Sequence, residues 1–218
     1  GISVSFNSDG TNLVVGAPST IEEVNSGQVF LYEYNTSEGQ WDSSSYLIID
    51  SSFYLSMSTT TQYFTRYGFS VDINSNGTLV AIGADGGGKY RGKVQVYRII
   101  DISTQQIELF GNTIIGNDIF SSFGKTVRLS RDSSDTTLSV GAPTFDGDSG
   151  IERGIIRVYS YNISNATWDA RGIGIRGKKD NENVGISYAM NQEGTIFFVG
   201  VPSHGLQGEG QVRVLRYI

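Results

Sequence analysis

The residues able to do chemistry in this 218-residue chain are 22 carboxylates, 16 lysines and arginines and a single histidine, with no cysteine. The most acidic stretch is Asp146-Gly147-Asp148-Ser149-Gly150 with Glu152. A calcium ion wants six to eight oxygens, so convergent carboxylates are what it needs. Short acidic Gly/Ser loops are ordinarily solvated turns, and Asp146, Asp148 and Glu152 stand as weak candidate ligands with no cofactor expected. His204 lies beside Ser203 in Val201-Pro202-Ser203-His204-Gly205. A Ser/His/Asp triad needs the imidazole to reach a serine across the fold, whereas adjacent side chains diverge; His204 is read as a loop histidine. No pair of carboxylates stands out as the acid and base of a glycosidase. Gly86-Gly87-Gly88-Lys89 lacks the spaced first glycine and the following helix of a phosphate loop, and reads as a connection between strands. Without cysteine there is no disulfide framework, thiol nucleophile or zinc knuckle. No catalytic residue is assigned, and an enzyme is not expected.

Four N-glycosylation sequons occur, at Asn35, Asn76, Asn162 and Asn165. Asn- and Ser-rich chains produce such tripeptides by chance. Two nevertheless share a register: Tyr32-Glu33-Tyr34-Asn35 precedes Trp41 by six residues, as Tyr159-Ser160-Tyr161-Asn162 precedes Trp168. Asn35 and Asn162 are therefore expected in equivalent exposed loops, with the tryptophans packed at sheet edges or free to stack on sugars. The net charge of −6 carries no basic cluster beyond Lys178-Lys179, which argues against nucleic acid as a partner. No apolar run approaches the roughly 18–20 residues of a membrane span. The chain opens on a strand-like pattern, so any targeting segment is expected to lie outside it.

The elements that must position these groups come in repeats. One phrase recurs as Gly27-Gln-Val-Phe-Leu-Tyr, Gly92-Lys-Val-Gln-Val-Tyr, Gly154-Ile-Ile-Arg-Val-Tyr and Gly210-Gln-Val-Arg-Val-Leu. Ahead of each stands Val15-Gly-Ala-Pro, Ile82-Gly-Ala-Asp, Val140-Gly-Ala-Pro or Val199-Gly-Val-Pro. Ahead of those stand Gly1-Ile-Ser-Val, Gly68-Phe-Ser-Val, Gly124-Lys-Thr-Val and Gly185-Ile-Ser-Tyr. Three phrases in fixed order, four times over, define repeats at 1–67, 68–123, 124–184 and 185–218. The third phrase alternates as a half-buried strand, while Leu13-Val14-Val15 and Leu79-Val80-Ala81-Ile82 run apolar without a break, as strands covered on both faces do. Asp9-Gly10 and Asn76-Gly77 suit the hairpins between the first two strands. A weaker outer strand is expected from the match of 110–116 with 171–177, and the fourth repeat ends without one.

Four antiparallel strands in each unit of about 60 residues predict an all-β, β-propeller-like array of four four-stranded blades, the last lacking its outer strand. First strands should lie innermost and fourth strands outermost. A β-sandwich with coincidentally similar hairpins is the competing architecture. A parallel β-helix has coils far shorter than this period.

The phrases resemble the FG-GAP repeats of integrin-α-like propellers: Phe123-Gly124 opens a repeat, Gly141-Ala142-Pro143 closes its second strand, and a Gly-x-Val-x-Val-Tyr strand follows. Tyr67-Gly68 and Val184-Gly185 are softened forms of the opening pair. The resemblance implies a secreted or cell-surface protein that binds other proteins or glycans, usually with more than four blades. Calcium often sits in the first hairpin of such blades. Here that hairpin supplies only Asp9, then none, then Asp132 and Asp135 without an intervening glycine, then Glu193, so calcium is not expected there. The expected function is a non-enzymatic extracellular structural or adhesion module, in its most specific form a repeating subunit of a glycosylated fibre, whose partners are other subunits or adjacent repeats. A glycan-binding, lectin-like propeller is the alternative. The open edge of the fourth blade at Val212, Val214 and Arg216 is expected to be completed by a strand from a neighbour.

Overall fold

The computed structural model describes residues 1–18, 27–50, 66–86, 91–132, 136–147, 150–203, 205 and 209–217. Each repeat folds into one antiparallel meander. Blade 1 runs β1 (Ser3–Phe6), β2 (Asn12–Pro18), β3 (Gly27–Asn35) and β4 (Gln40–Asp50). Blade 2 runs β5 (Tyr67–Ile73), β6 (Leu79–Ala84), β7 (Lys93–Asp101) and β8 (Gln106–Leu109), with β9 (Ile114–Ile115) also paired to β7. Blade 3 runs β10 (Thr126–Leu129), β11 (Thr137–Ala142), β12 (Ile155–Asn162) and β13 (Thr167–Arg176). Blade 4 has β14 (Tyr188–Met190), β15 (Ile196–Val201) and β16 (Gln211–Arg216), so three strands among the described residues.

The outer strand of blade 2 is split, where the sequence match predicts one strand. The Phe110 N–H still donates to Val96 O of β7 at 2.8 Å, while its ring stacks on Tyr161 of blade 3 at 4.1 Å between ring centres. Asn112 Oδ1 then accepts the backbone N–H of Trp168 at 2.6 Å.

The blades stack face to face through three apolar cores. Val14, Val29, Leu31, Leu47 and Ile49 of blade 1 meet Val71, Ile73, Val80 and Ile82 of blade 2. Ala81, Val94 and Val96 of blade 2 meet Val127, Leu129, Val140 and Ile155 of blade 3. Ile156, Val158 and Ile175 of blade 3 meet Tyr188, Phe197 and Val199 of blade 4. Each fully buried Leu or Ile contributes about 1.5–3 kcal/mol of burial. The unbroken apolar runs behave as their sequence predicts inside the stack: all six residues of β6 and of β11 are buried.

Glycines set the spacing. A Cβ at Gly16, Gly83 or Gly141 would come closer than 3.0 Å to the carbonyl oxygen of Gly68, Gly124 or Gly185 in the following blade. A Cβ at Gly27, Gly92 or Gly154 would likewise strike the carbonyl of Tyr67, Phe123 or Val184. The two-residue opening of one repeat thus lies across two glycines of the repeat before it. Those opening glycines take φ of 81, 88 and 101°, a region that side-chain-bearing residues avoid. A hydroxyl pins each junction as well. Ser3 Oγ accepts Val71 N–H at 3.0 Å, Ser70 Oγ donates to Gly124 O at 2.8 Å, and Thr126 Oγ1 donates to Ile186 O at 3.1 Å.

Candidate functional site

The first strands gather around an axial hollow of about 290 Å³, lined from all four blades by residues including Ser5, Asp72, Arg128, Arg131 and Asn191. Asp72 is its focus and is only 2% exposed. It accepts hydrogen bonds from Ser5 Oγ of blade 1 at 2.6 Å and from Leu129 N–H of blade 3 at 2.9 Å. Arg131 Nη2 lies 3.5 Å from the same carboxylate and 3.4 Å from Ser5 Oγ. The hairpins around the hollow are stitched in series: Ser8 N–H to Ser75 O at 3.0 Å, Ser75 Oγ to Arg131 O at 2.6 Å, Arg131 N–H to Gln192 O at 2.8 Å. A buried carboxylate holding partners from two other blades joins three blades at once. Among the described residues lining the hollow Asp72 is the one carboxylate, and the Ser5 hydroxyl is bound to it.

Within each hairpin, a polar residue six positions after the opening glycine caps the second strand. Asn7, Asn74 and Asn191 accept the backbone N–H of Asn12, Leu79 and Ile196 at 2.9, 2.9 and 2.8 Å, and Ser130 accepts that of Thr137 at 3.1 Å. Motif reasoning passes over these residues because each looks like an ordinary turn residue. Their recurrence at one offset from Gly1, Gly68, Gly124 and Gly185 is the signal that marks them.

The sequons lie in exposed or half-exposed turns. Asn35 and Asn162 occupy equivalent positions at the turn between third and fourth strands. Their side-chain oxygens accept Ser37 N–H and Ser164 N–H, each at 3.0 Å. Asp101 does the same in blade 2, accepting Ser103 N–H at 2.8 Å, an equivalence hidden by the change of residue type. Hydrogen bonds from Ser103 hold the Asp101 carboxyl below the usual carboxylate range. Asn76 accepts from Thr78, as Asp9 accepts from Thr11 in blade 1. Asn165 is exposed in the 163–166 turn.

Of the acidic loop, Asp146 is exposed and accepts Glu152 N–H at 2.8 Å, while Glu152 meets Asn183 Nδ2 at 3.3 Å. Asp146 borders a polar hollow of about 320 Å³ with Asp118 and Arg91. Asp148, His204 and most of the 86–89 segment lie outside the described residues. Among the described residues no three His, Cys, Asp or Glu side chains gather as a metal site.

Val212, Val214 and Arg216 lie on β16, which pairs with β15 alone among the described residues. Val212 and Val214 are 69% and 60% exposed. They point out of the sheet on the side away from blade 3, together with Phe198, so blade 4 presents an uncovered face in addition to an open edge. The outward side of blade 1 is partly exposed, with Val4 and Phe6 at 61% and 45% and the remaining residues of its rows half-buried. Its rows Val4–Val15–Phe30–Ile48 and Phe6–Leu13–Tyr32–Tyr46 point away from blade 2 across all four strands. Sequence does not reveal these faces, because it does not say which of the strands suited to a cover lack one.

Sheets of this topology, stacked face to face with first strands around a polar axis, are the blades of a β-propeller. Solved structures agree on that fold. The chain superposes over 99% of its length on 57% of the periplasmic gluconolactonase PpgL of Pseudomonas aeruginosa, at TM-score 0.55 and 10% identity. It superposes over 93% of its length on 42% of Sqt1 from Chaetomium thermophilum, at TM-score 0.54 and 10% identity. The chain therefore spans about half the length of these propellers. No protein-family model matches the sequence, and no curated protein matches it either. Among the described residues no helix is long and apolar enough to cross a membrane.

Proposed function

We propose that this chain is a non-enzymatic structural or adhesion module of the FG-GAP type, working outside the cytoplasm by docking other protein surfaces. One observation supports this reading: among the described residues Val4 and Phe6 of the first blade and Phe198, Val212 and Val214 of the fourth are 61%, 45%, 49%, 69% and 60% exposed. Clustered exposed apolar side chains mark an interaction surface. The spacing of the glycine phrases supports the FG-GAP assignment, and the sequons at exposed turns suit an extracellular or periplasmic setting. Under this reading Asn35 and Asn162 carry glycans in a eukaryotic secretory host.

The lectin-like alternative rests on the aromatic group at Phe6, Tyr34 and Trp41, in which Trp41 is 36% exposed. Its counterpart Trp168 in blade 3 is 3% exposed because blade 2 covers it, with Trp168 Nε1 donating to Phe110 O at 2.9 Å. Trp41 is thus part of the blade-docking face, which favours protein over sugar.

The test pairs a binding assay with an activity assay. An apolar fluorescent dye should bind the dilute native chain, and Val4→Asp and Val214→Asp should each reduce that binding. Because one superposed propeller is a gluconolactonase, aldonolactone hydrolysis is the activity to measure, and none above the uncatalysed rate is expected. Turnover that disappears in Asp72→Asn would overturn the non-enzymatic reading.

A further inference from the structure

Two side chains of the axial hollow have no part in the architecture that the blades share. Counted from the opening glycine, the fifth residue of each repeat is Ser5, Asp72, Arg128 or Ala189, and the eighth is Ser8, Ser75, Arg131 or Gln192. Blades 1, 2 and 4 thus form with shorter side chains at both places, and blade 3 alone has arginine at each. The links between hairpins do not need the guanidiniums. Ser75 Oγ donates to Arg131 O and Arg131 N–H donates to Gln192 O, so the main chain of Arg131 makes both. Ordering two long cationic side chains costs conformational freedom that some contact has to offset.

The protein itself uses little of what they offer. Each guanidinium has five N–H donors in a planar fork. Arg128 and Arg131 are both half-buried. Arg128 Nη1 donates to the backbone Val127 O at 2.8 Å, and Arg131 Nη2 lies 3.5 Å from Asp72 and 3.4 Å from Ser5 Oγ. A charge-assisted N–H···O bond closes to about 2.7–2.9 Å, so the pairing of Arg131 with Asp72 is loose. Asp72 is bound more closely by Ser5 Oγ at 2.6 Å and by Leu129 N–H at 2.9 Å. Nε and Nη2 of Arg128, with Nε and Nη1 of Arg131, have no acceptor among the described residues. The charged groups lining the hollow are Asp72, Arg128 and Arg131, an excess of one positive charge in a chain whose net charge is −6.

We infer that the axial hollow is a binding site for a small organic monocarboxylate, held by the Arg128 and Arg131 guanidiniums. The planar fork matches a carboxylate, which accepts two parallel N–H bonds from it. One negative charge cancels the excess in the lining, whereas a dianion such as sulfate leaves a charge uncompensated beside the buried Asp72. Leu129, Ala189 and Met190 line the same hollow and give a short hydrocarbon chain an apolar neighbour. At about 290 Å³ the space lies at the small end of ligand cavities and suits an acid of a few carbons. The two arginines are separate from the exposed apolar side chains that support the docking reading, so the two stand or fall independently.

Proton–nitrogen NMR of the 218-residue chain tests the site, with sodium butyrate titrated against sodium chloride at constant ionic strength. Saturable shifts are expected at the Nε–H signals of Arg128 and Arg131 and at the backbone of 128–131 and 189–192. The dissociation constant should be about 1–10 mM, the range open to a ligand of about six non-hydrogen atoms. Arg128→Gln and Arg131→Gln should each weaken binding about tenfold or more. Arg98→Gln, which removes an exposed ion pair with Glu108, should leave it unchanged. Arg131→Lys keeps the charge without the fork and should recover only part of the loss. Sulfate should bind the native chain more weakly than butyrate, and Asp72→Asn should tighten both. Shifts that do not saturate, sulfate binding as tightly as butyrate, or binding indifferent to both glutamine variants would overturn the proposal. N-acetylglutamate methylamide separates two sources of the carboxylate. Its competition with butyrate would assign the site to an acidic side chain of another protein, and its failure to compete would assign it to a free acid.

Discussion

A single methyl group is the sharpest probe of how this protein is held together. At Gly141 an added Cβ meets only backbone of Gly185, which cannot swing aside as a side chain would. Gly141→Ala should therefore cost about 3 kcal/mol in urea denaturation. Gly200→Ala, the same change in the same motif, should alter the isolated chain by no more than about 0.5 kcal/mol. Lys93 provides a second residue-level test. It is 3% exposed, its ammonium lies 5.4 Å from the Tyr67 ring centre, and burial lowers its pKa to about 8. Between pH 8 and about 10.4 the unfolded chain holds a proton there that the folded chain has released, so stability rises with pH across that window. Tyr67, Tyr159 and Tyr188 act in the opposite sense, because burial raises all three phenols, Tyr159 to about 12. Above about pH 10 they ionise first in the unfolded chain and stability falls. The melting temperature should climb from about pH 8 towards 10 and then drop, and Lys93→Met should remove the climb while keeping the drop.

At the scale of the element, the hairpins are held by side chains that read as ordinary loop residues. Asn162 Oδ1 accepts Ser164 N–H and its amide donates to Asp169 Oδ2 at 2.9 Å, which lowers the Asp169 pKa. Asn162→Ala should cost about 1 kcal/mol, and Asn162→Asp should recover part of that through the same turn geometry seen at Asp101. The inner hairpin is more sensitive because its cap is buried. Asn74 is 0% exposed, and Asn74→Ala would leave Leu79 N–H without its acceptor, at about 2 kcal/mol. Equilibrium unfolding of the two variants under one set of conditions checks the ranking.

For the molecule as a whole, the axial carboxylate and the terminal faces do different work. Asp72 joins blades 1, 2 and 3, and Asp72→Ala strands Leu129 N–H and frees Arg131. A loss of about 2–3 kcal/mol is expected, softened by the partial exposure of Arg131. The terminal faces contribute little to the fold, since their residues are already exposed. Charges placed there should leave the stability of the chain in urea unfolding within about 0.5 kcal/mol of its original value.

Much of this organisation is legible in the amino-acid chain itself. Fixed glycine offsets and three ordered phrases are local facts, and they specify four antiparallel meanders, their hairpins and their inner-to-outer order. The apolar runs of β6 and β11 declare two-sided burial, and both strands have it. The identical logic applied to Leu13-Val14-Val15 predicts two buried faces where Leu13 and Val15 are only half-buried, because a strand's sequence records the environment it suits and not the contacts it makes. Packing alone decides the convergence of Ser5, Asp72 and Arg131, which are up to 126 residues apart. The split of the blade 2 outer strand is decided in the same way, by Phe110 finding Tyr161 across a junction. Periodicity along the chain fixes what each blade is, while contacts between blades, which no local pattern encodes, decide which surfaces remain to act.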